Sequence, residues 1–180
     1  MAITINGNGT ITGISVGGLP DGIVDTDMIA ASAVTPAKST ITGGKILQVV
    51  TNTSNTTQNT TAGSSALLDI LNVSITPANT NNKVLVLASV SLICDDVGNA
   101  YSVARLYRGN SSSGTQLVTQ NGGDNNNTTV YTQYGISYLD SPSTTSSTTY
   151  TLSIKRGSGS TNLVGTDGTN YMITAMEVAA

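Results

Sequence analysis

The residues that could do chemistry are few. The chain has no histidine, so a Ser-His-Asp triad, a Cys-His pair and a histidine-ligated metal cannot be assembled within it. Its one cysteine, Cys94, lies in the apolar run SVSLIC with no base beside it, and reads as a small buried hydrophobe. Carboxylates pair at Asp25/Asp27 and Asp95/Asp96. Glycosidases use two carboxylates, but usually from separate strands facing each other across a cleft. Here each pair is local, and turn formation and solvation account for it. Asp95 and Asp96 with loop carbonyls are the one candidate set for a structural Ca²⁺. Gly7 and Gly9 lack the third glycine and the helix of a dinucleotide loop, and Gly157-Ser158-Gly159 reads as a strand-connecting turn. The chemistry therefore offers no credible site for an enzyme such as a glycan depolymerase and calls for no cofactor and no catalytic metal, with a structural ion at Asp95/Asp96 the open alternative.

The seven tyrosines are the only aromatic residues, and all fall in predicted strands. Core or interface packing with a bonded hydroxyl is their ordinary role. The functional alternative is a sugar-stacking platform, for which Tyr131, Tyr134 and Tyr138 are the candidates. Arg105 and Arg108 fall on opposite sides of one strand, one a candidate for pairing at a subunit interface, with solvation the alternative. Seven dispersed basic residues make no phosphate-binding patch, which argues against a nucleic-acid partner.

Composition frames these residues. The 180-residue chain is 38% apolar but only 9% charged, against about 25% charged in ordinary domains, and its net charge is −3. Disorder needs low hydrophobicity with high net charge, so the body is expected to fold. Asn, Thr, Ser and Gly supply the polarity, as in β-rich extracellular or virion proteins. The N-terminus has no basic segment with an apolar block, and no window approaches the roughly 18 apolar residues of a membrane helix. The expectation is synthesis in a cytoplasm, with no membrane insertion, and with NxS/T triplets such as Asn52-Thr53-Ser54 and Asn72-Val73-Ser74 read as compositional rather than glycosylated.

Two parts follow. Residues 1–44 are apolar every few positions, almost uncharged, and carry a weak ten-residue echo in which Ile23-Val24-Asp25-Thr26 is followed by Ala33-Val34-Thr35-Pro36. Such an arm cannot bury a core within one chain. Its apolar residues Ile3, Ile5, Ile14, Val16, Ile23, Val24, Ile29 and Val34 are the candidates for anchoring to other subunits or to a larger particle. From Lys45 the pattern is that of an all-β body over residues 45–180.

Alternation and turn residues predict strands at Ile46–Val50, Leu67–Ile75, Lys83–Ile93, Tyr101–Arg108, Gln116–Val118, Val130–Leu139, Thr149–Lys155 and Tyr171–Val178. The strongest has Val84, Val86, Ala88, Val90 and Leu92 on one face. Residues 51–65 and 121–127 read as a polar loop and a polar tip, residues 95–99 as a turn centred on Gly98, and an irregularity is expected near Tyr134. Residues 62–71 are the weak alternative for a helix. About eight strands with turn signals between them argue for an antiparallel β-sandwich or jelly roll.

The arm segment DGIVDTDMIAASAVTPAK resembles repeat-like segments of tail-fibre and surface proteins of tailed bacteriophages, particularly cyanophages. The segments LNVSITPANTNNKVLVLASVSL, YLDSPSTTSSTTYTLSI and ITAMEVAA resemble the small C-terminal domain attached to such arms. The resemblance implies a homotrimeric structural protein on a virion surface. As capsid decoration, cement or a spike, its partner would be the major capsid protein. As a short tail fibre, its partners would be a tail component and a host-cell glycan. Forty-four fully extended residues reach at most about 145 Å, which suits anchoring to a shell better than spanning to a distant host.

Overall fold

The computed structural model describes residues 45–60, 66–95, 100–124, 130–158, 161–164 and 168–180, together with residues 4–5 and 11–12. The chain divides into two units, residues 1–41 and 42–180. In the first, β1 (Thr4–Ile5) pairs antiparallel with β2 (Ile11–Thr12), with Ile5 opposite Ile11. Of the anchoring candidates only Ile5 is among the described residues; Ile3, Ile14, Val16, Ile23, Val24, Ile29 and Val34 lie outside them.

The second unit is all-β. Its elements are β3 (Ile46–Ser54), β4 (Gln58–Asn59), β5 (Leu68–Ile75), β6 (Lys83–Asp95), β7 (Ala100–Arg108), β8 (Thr115–Asp124), β9 (Val130–Asp140), β10 (Thr148–Ser158), β11 (Thr161–Val164) and β12 (Tyr171–Val178). One sheet has the order β5-β10-β7-β8, and the other joins β3, β12, β6, β11 and β4 with β9 also on β6. Because β9 pairs with β6 along Val84–Cys94, it occupies one whole edge of that strand. β12 and β11 therefore share the other edge end to end, through Lys83–Ser89 and Leu92–Asp95. The second sheet is thus four strands wide: β3/β4, β12/β11, β6, β9.

Pairing is nested: β3 with β12, β5 with β10, β6 with β9, and β7 with β8. The first long strand pairs with the last, the second with the next to last, and so inward. This is the connectivity of a jelly roll. The eight strands that take part are the eight that alternation predicts.

Between the sheets lies the core. Val84, Val86, Ala88, Val90 and Leu92 all face inward and are buried, as their period of two requires. They meet Leu71, Val73 and Ile75 of β5, Leu106 of β7, and Tyr150, Leu152 and Ile154 of β10.

The structure departs from the sequence reading in several places. β3 runs four residues beyond Val50, and β4 occupies part of the predicted loop 51–65. β8 extends from Thr115 to Asp124, well beyond the predicted strand Gln116–Val118 and into the predicted polar tip 121–127. It is an edge strand, where one side of the ladder and much of the surface face water, so a polar sequence suffices. Leu117 and Val118 still pack on the core. The predicted turn 95–99 loses Asp95 to β6, and Asp96 lies outside the described residues. β9 pairs with β6 in unbroken register, so there is no irregularity at Tyr134. Leu68–Leu71 are strand, not helix.

Candidate functional site

Two clusters of buried polar groups close one end of the sandwich, and both derive from one inward row. Gln48, Glu177, Val84 and Asp140 are consecutive partners across β3, β12, β6 and β9. Two carboxylates therefore point into the interior, separated by one strand, at about 10 Å of backbone spacing.

Glu177 is almost wholly buried. Its carboxylate accepts from Gln48 Nε2 at 2.5 Å, Asn82 Nδ2 at 2.6 Å and the Ala78 N–H at 2.7 Å. Burial pushes its pKa up, but the hydrogen bonds from Asn82, Gln48 and Ala78 outweigh that and hold it below the ordinary value. Gln48 uses its second N–H on Thr76 O, and Asn82 Oδ1 accepts from the Ala180 N–H. The cluster ties the 76–82 turn and the last residues to the sheet.

On the other side, Asp140 accepts the Tyr150 hydroxyl at 2.7 Å and faces Arg108 Nη1 at 3.1 Å. β9, β10 and β7 supply these three groups, so the cluster bridges the two sheets. Burial, followed by the hydrogen bond and charge of Asp140, raises the pKa of Tyr150 far above the ordinary phenol range, with Arg108 partly opposing. The phenol remains a donor. Arg108 is therefore paired within the chain. Every partner in both clusters is a protein group held in place, so these carboxylates act as fasteners, with neither of them open to a substrate.

Four of the tyrosines are buried with bonded hydroxyls: Tyr134, Tyr150 and Tyr171 in the core between the sheets, and Tyr107 on the outward side of β7. Tyr134 is 3% exposed, and its hydroxyl lies 2.6 Å from Ser102 Oγ and 3.2 Å from Gly122 O. A Cβ on Gly122 would stand 2.9 Å from that hydroxyl, so glycine makes room for the ring. Tyr131, 70% exposed, projects from the opposite face of β9. Tyr138 is partly exposed and shares the parity of Tyr134. The three candidates for sugar stacking therefore do not form one platform.

The exposed feature that sequence reading did not single out is the outer face of the β3-β12-β6-β9 sheet. Val49, Met176, Leu85 and Leu139 are register partners, one from each strand, and form an apolar row across the whole sheet. The next row is Thr51, Thr174, Leu87 and Ser137, and the one after it Thr53, Met172, Ser89 and Gly135. Thr51 and Thr174 share a hydroxyl hydrogen bond of 3.0 Å along their row. Ile46 and Leu47 extend the apolar end where the register slips by one residue, and both are about half exposed. Among the described outward positions from the Leu85 row to the Ile93 row, none carries a charge. The outer face of the other sheet differs: Asp69, Arg105 and Lys155 all lie on it. The signal for the apolar row was present in the sequence as the odd-numbered leucines and the Met172/Met176 pair. It became a face only when the register aligned four separate strands.

Among the described residues no three Cys, Asp or Glu side chains come together as a metal site, and no helix is long and apolar enough to cross a membrane. The backbone of Asp95 pairs with Thr161 at the end of β6.

The jelly-roll sandwich with an apolar row across one outer face is the setting for comparison with known proteins. No protein family and no curated protein matches the sequence. Among solved structures, the chain is similar to the infectious bursal disease virus VP2 subviral particle, with a TM-score of 0.43, 14% identity, and coverage of 73% of this chain and 32% of that one. It is also similar to the T13 infectious bursal disease viral particle, with a TM-score of 0.41, 13% identity, and coverage of 75% and 38%. The chain spans about a third of the length of these neighbours.

Proposed function

We propose that this chain is a non-enzymatic structural protein of a bacteriophage virion, a homotrimeric decoration, cement or spike protein held on the capsid by residues 1–44. The observation that carries this reading is the apolar row Val49, Met176, Leu85 and Leu139 across the outer face of the β3-β12-β6-β9 sheet, a face without charge from the Leu85 row to the Ile93 row. Exposed apolar patches of this kind mark surfaces that other proteins cover. The arm adds a second apolar, nearly uncharged segment, and its resemblance to phage surface proteins supplies the kind of particle. Both polar clusters are internally satisfied, which supports a scaffold rather than a catalyst. The protein is made in the host cytoplasm and placed at the virion surface, with the major capsid protein as its partner.

One observation favours the alternative of a short tail fibre or receptor-binding protein. Tyr131 stands 70% exposed at the far end of the same face, where a ring could stack on a host glycan. Copy number separates the two: hundreds of copies per particle mean decoration, and a few to some tens mean a tail part. For the anchor, Ile23→Asp with Ile29→Asp in the full chain should abolish co-sedimentation with particles. Normal co-sedimentation of that variant would overturn the arm's role.

A further inference from the structure

Resting on that reading, we infer that the outer face of the β3-β12-β6-β9 sheet lines the threefold axis. Three copies of the chain then close into a triangular prism of sheets. The occupant of the face is a second copy of the same body.

The first ground is where the exposure falls. Along the apolar row, the two central residues Leu85 and Met176 are half-buried. The two at the sheet edges, Val49 on β3 and Leu139 on β9, are 56% and 48% exposed. A prism brings the β3 edge of one copy against the β9 edge of the next, so Val49 meets Leu139 of the neighbour. That contact is heterologous and closes after three steps.

The second ground is size. The β6–β9 ladder covers eleven residue pairs. At about 3.4 Å per residue and about 4.8 Å per strand, the face is about 37 Å long and about 19 Å wide. Each copy gives this flat area of about 700 Å² to two neighbours together, so the roughly 800 Å² that one partner contributes to a standard interface is approached by the sum of its two contacts, about 350 Å² in each.

The third ground is spacing. Three faces about 19 Å wide, arranged as an equilateral triangle, each stand about 5.5 Å from the axis, which is half the roughly 10 Å at which packed sheets lie. Side chains from three such faces meet at the axis without a channel. A charge deep in the face would be buried there unpaired; from the Leu85 row to the Ile93 row the described positions carry none, and Lys83, on the row beyond Leu85, sits exposed at the end of the face. The other sheet carries Asp69, Arg105 and Lys155 on its outward face.

The test uses the full chain with Val49→Lys, Leu139→Asp, and both together. Mass is read by light scattering at micromolar concentration and folding by circular dichroism melts. The wild type should have the mass of three chains. Each single variant should run as a folded monomer, and the double variant should recover the trimer, because Lys of one copy faces Asp of the next. Asn72→Asp with Thr119→Asp, on the opposite sheet, should remain trimeric.

Cross-linking gives an independent reading. Val49→Cys with Leu139→Cys, in a Cys94→Ala background, should form a covalent trimer on oxidation. The two positions lie three strand spacings apart within a chain, about 14 Å, too far for an internal disulfide. A wild-type trimer whose mass survives both single substitutions, with no cross-link, overturns the prism while leaving the virion reading intact. A wild-type dimer also overturns the prism, and a wild-type monomer overturns self-association and the virion reading with it.

Discussion

Glu177 shows what a buried charge does in this molecule. Its carboxylate is surrounded only by donors, from Gln48, Asn82 and Ala78. Glu177→Gln keeps the shape but turns an amide N–H₂ towards one of those donors. The expected cost is about 1–3 kcal/mol, measured by denaturant unfolding at neutral pH. Protonation acts in the same direction. The folded pKa lies below the unfolded value of about 4.3, so the stabilisation is fully present above that value and is lost as pH falls through the folded pKa. The wild type should lose stability below about pH 4.3, and Glu177→Gln should flatten that part of the profile. At the neighbouring cluster, Asp140→Ala removes the acceptor of the wholly buried Tyr150 hydroxyl. Arg108, whose side chain is one-third exposed, can turn to water, so the loss comes mainly from the phenol. It should be about 1–3 kcal/mol, and Tyr150→Phe in the same background should recover much of it.

Among the elements, β6 is the hinge of the architecture. It has long partners on both edges, β12 on one and β9 on the other, as β12 has β3 and β6, and its eleven-pair ladder with β9 is the longest among the described strands. Its inner residues are fully or almost fully buried. Val86→Asp would place an unpaired carboxylate between Ala175 and Tyr138, its lateral partners, at a cost of several kcal/mol. Domains are stable by only about 5–15 kcal/mol, so little soluble folded protein is expected. Soluble protein with a wild-type melt would show the register to be wrong. By contrast, Leu87→Ser on the outer face adds a hydroxyl to a row that already holds Thr51, Thr174 and Ser137. The body should stay folded, and comparing the two melts distinguishes inner from outer face. β8 illustrates the other extreme, a strand formed by its place on the edge of β7 rather than by its own hydrophobicity.

Across the whole molecule, the division of labour runs between two surfaces and the arm. The inner faces of the two sheets make the core, the outer face of β3-β12-β6-β9 is the surface assigned to self-association, and the arm is assigned to the particle. These roles are separable by experiment. Leu139→Asp should dissociate the trimer with little change in the body's melt under monomeric conditions, whereas Ile23→Asp with Ile29→Asp should leave the trimer whole and abolish particle binding. Sedimentation of each variant, alone and with particles, reads both outcomes. A variant of one class that produced the defect of the other would show that the two assignments had been exchanged.

The sequence by itself determined the class of the body and its eight principal strands. Period-two alternation records burial directly, and Val84, Val86, Ala88, Val90 and Leu92 repeat it five times without interruption. It also determined that no histidine chemistry is available. What only tertiary structure decided is which strands are neighbours. Glu177 and Gln48 are 129 residues apart in the chain, and nothing local marks them as partners, or marks Arg108 and Asp140 as a pair. Tyr134 and Tyr131 look equivalent in sequence, yet the pleat sends one to the core and the other to the surface. Val49, Leu85, Leu139 and Met176 are four isolated apolar residues until the jelly-roll register sets them side by side. Alternation fixes which face a residue takes, because it is a property of one strand. A surface that could bind another molecule belongs to the sheet, and its composition depends on pairings between residues far apart in the chain.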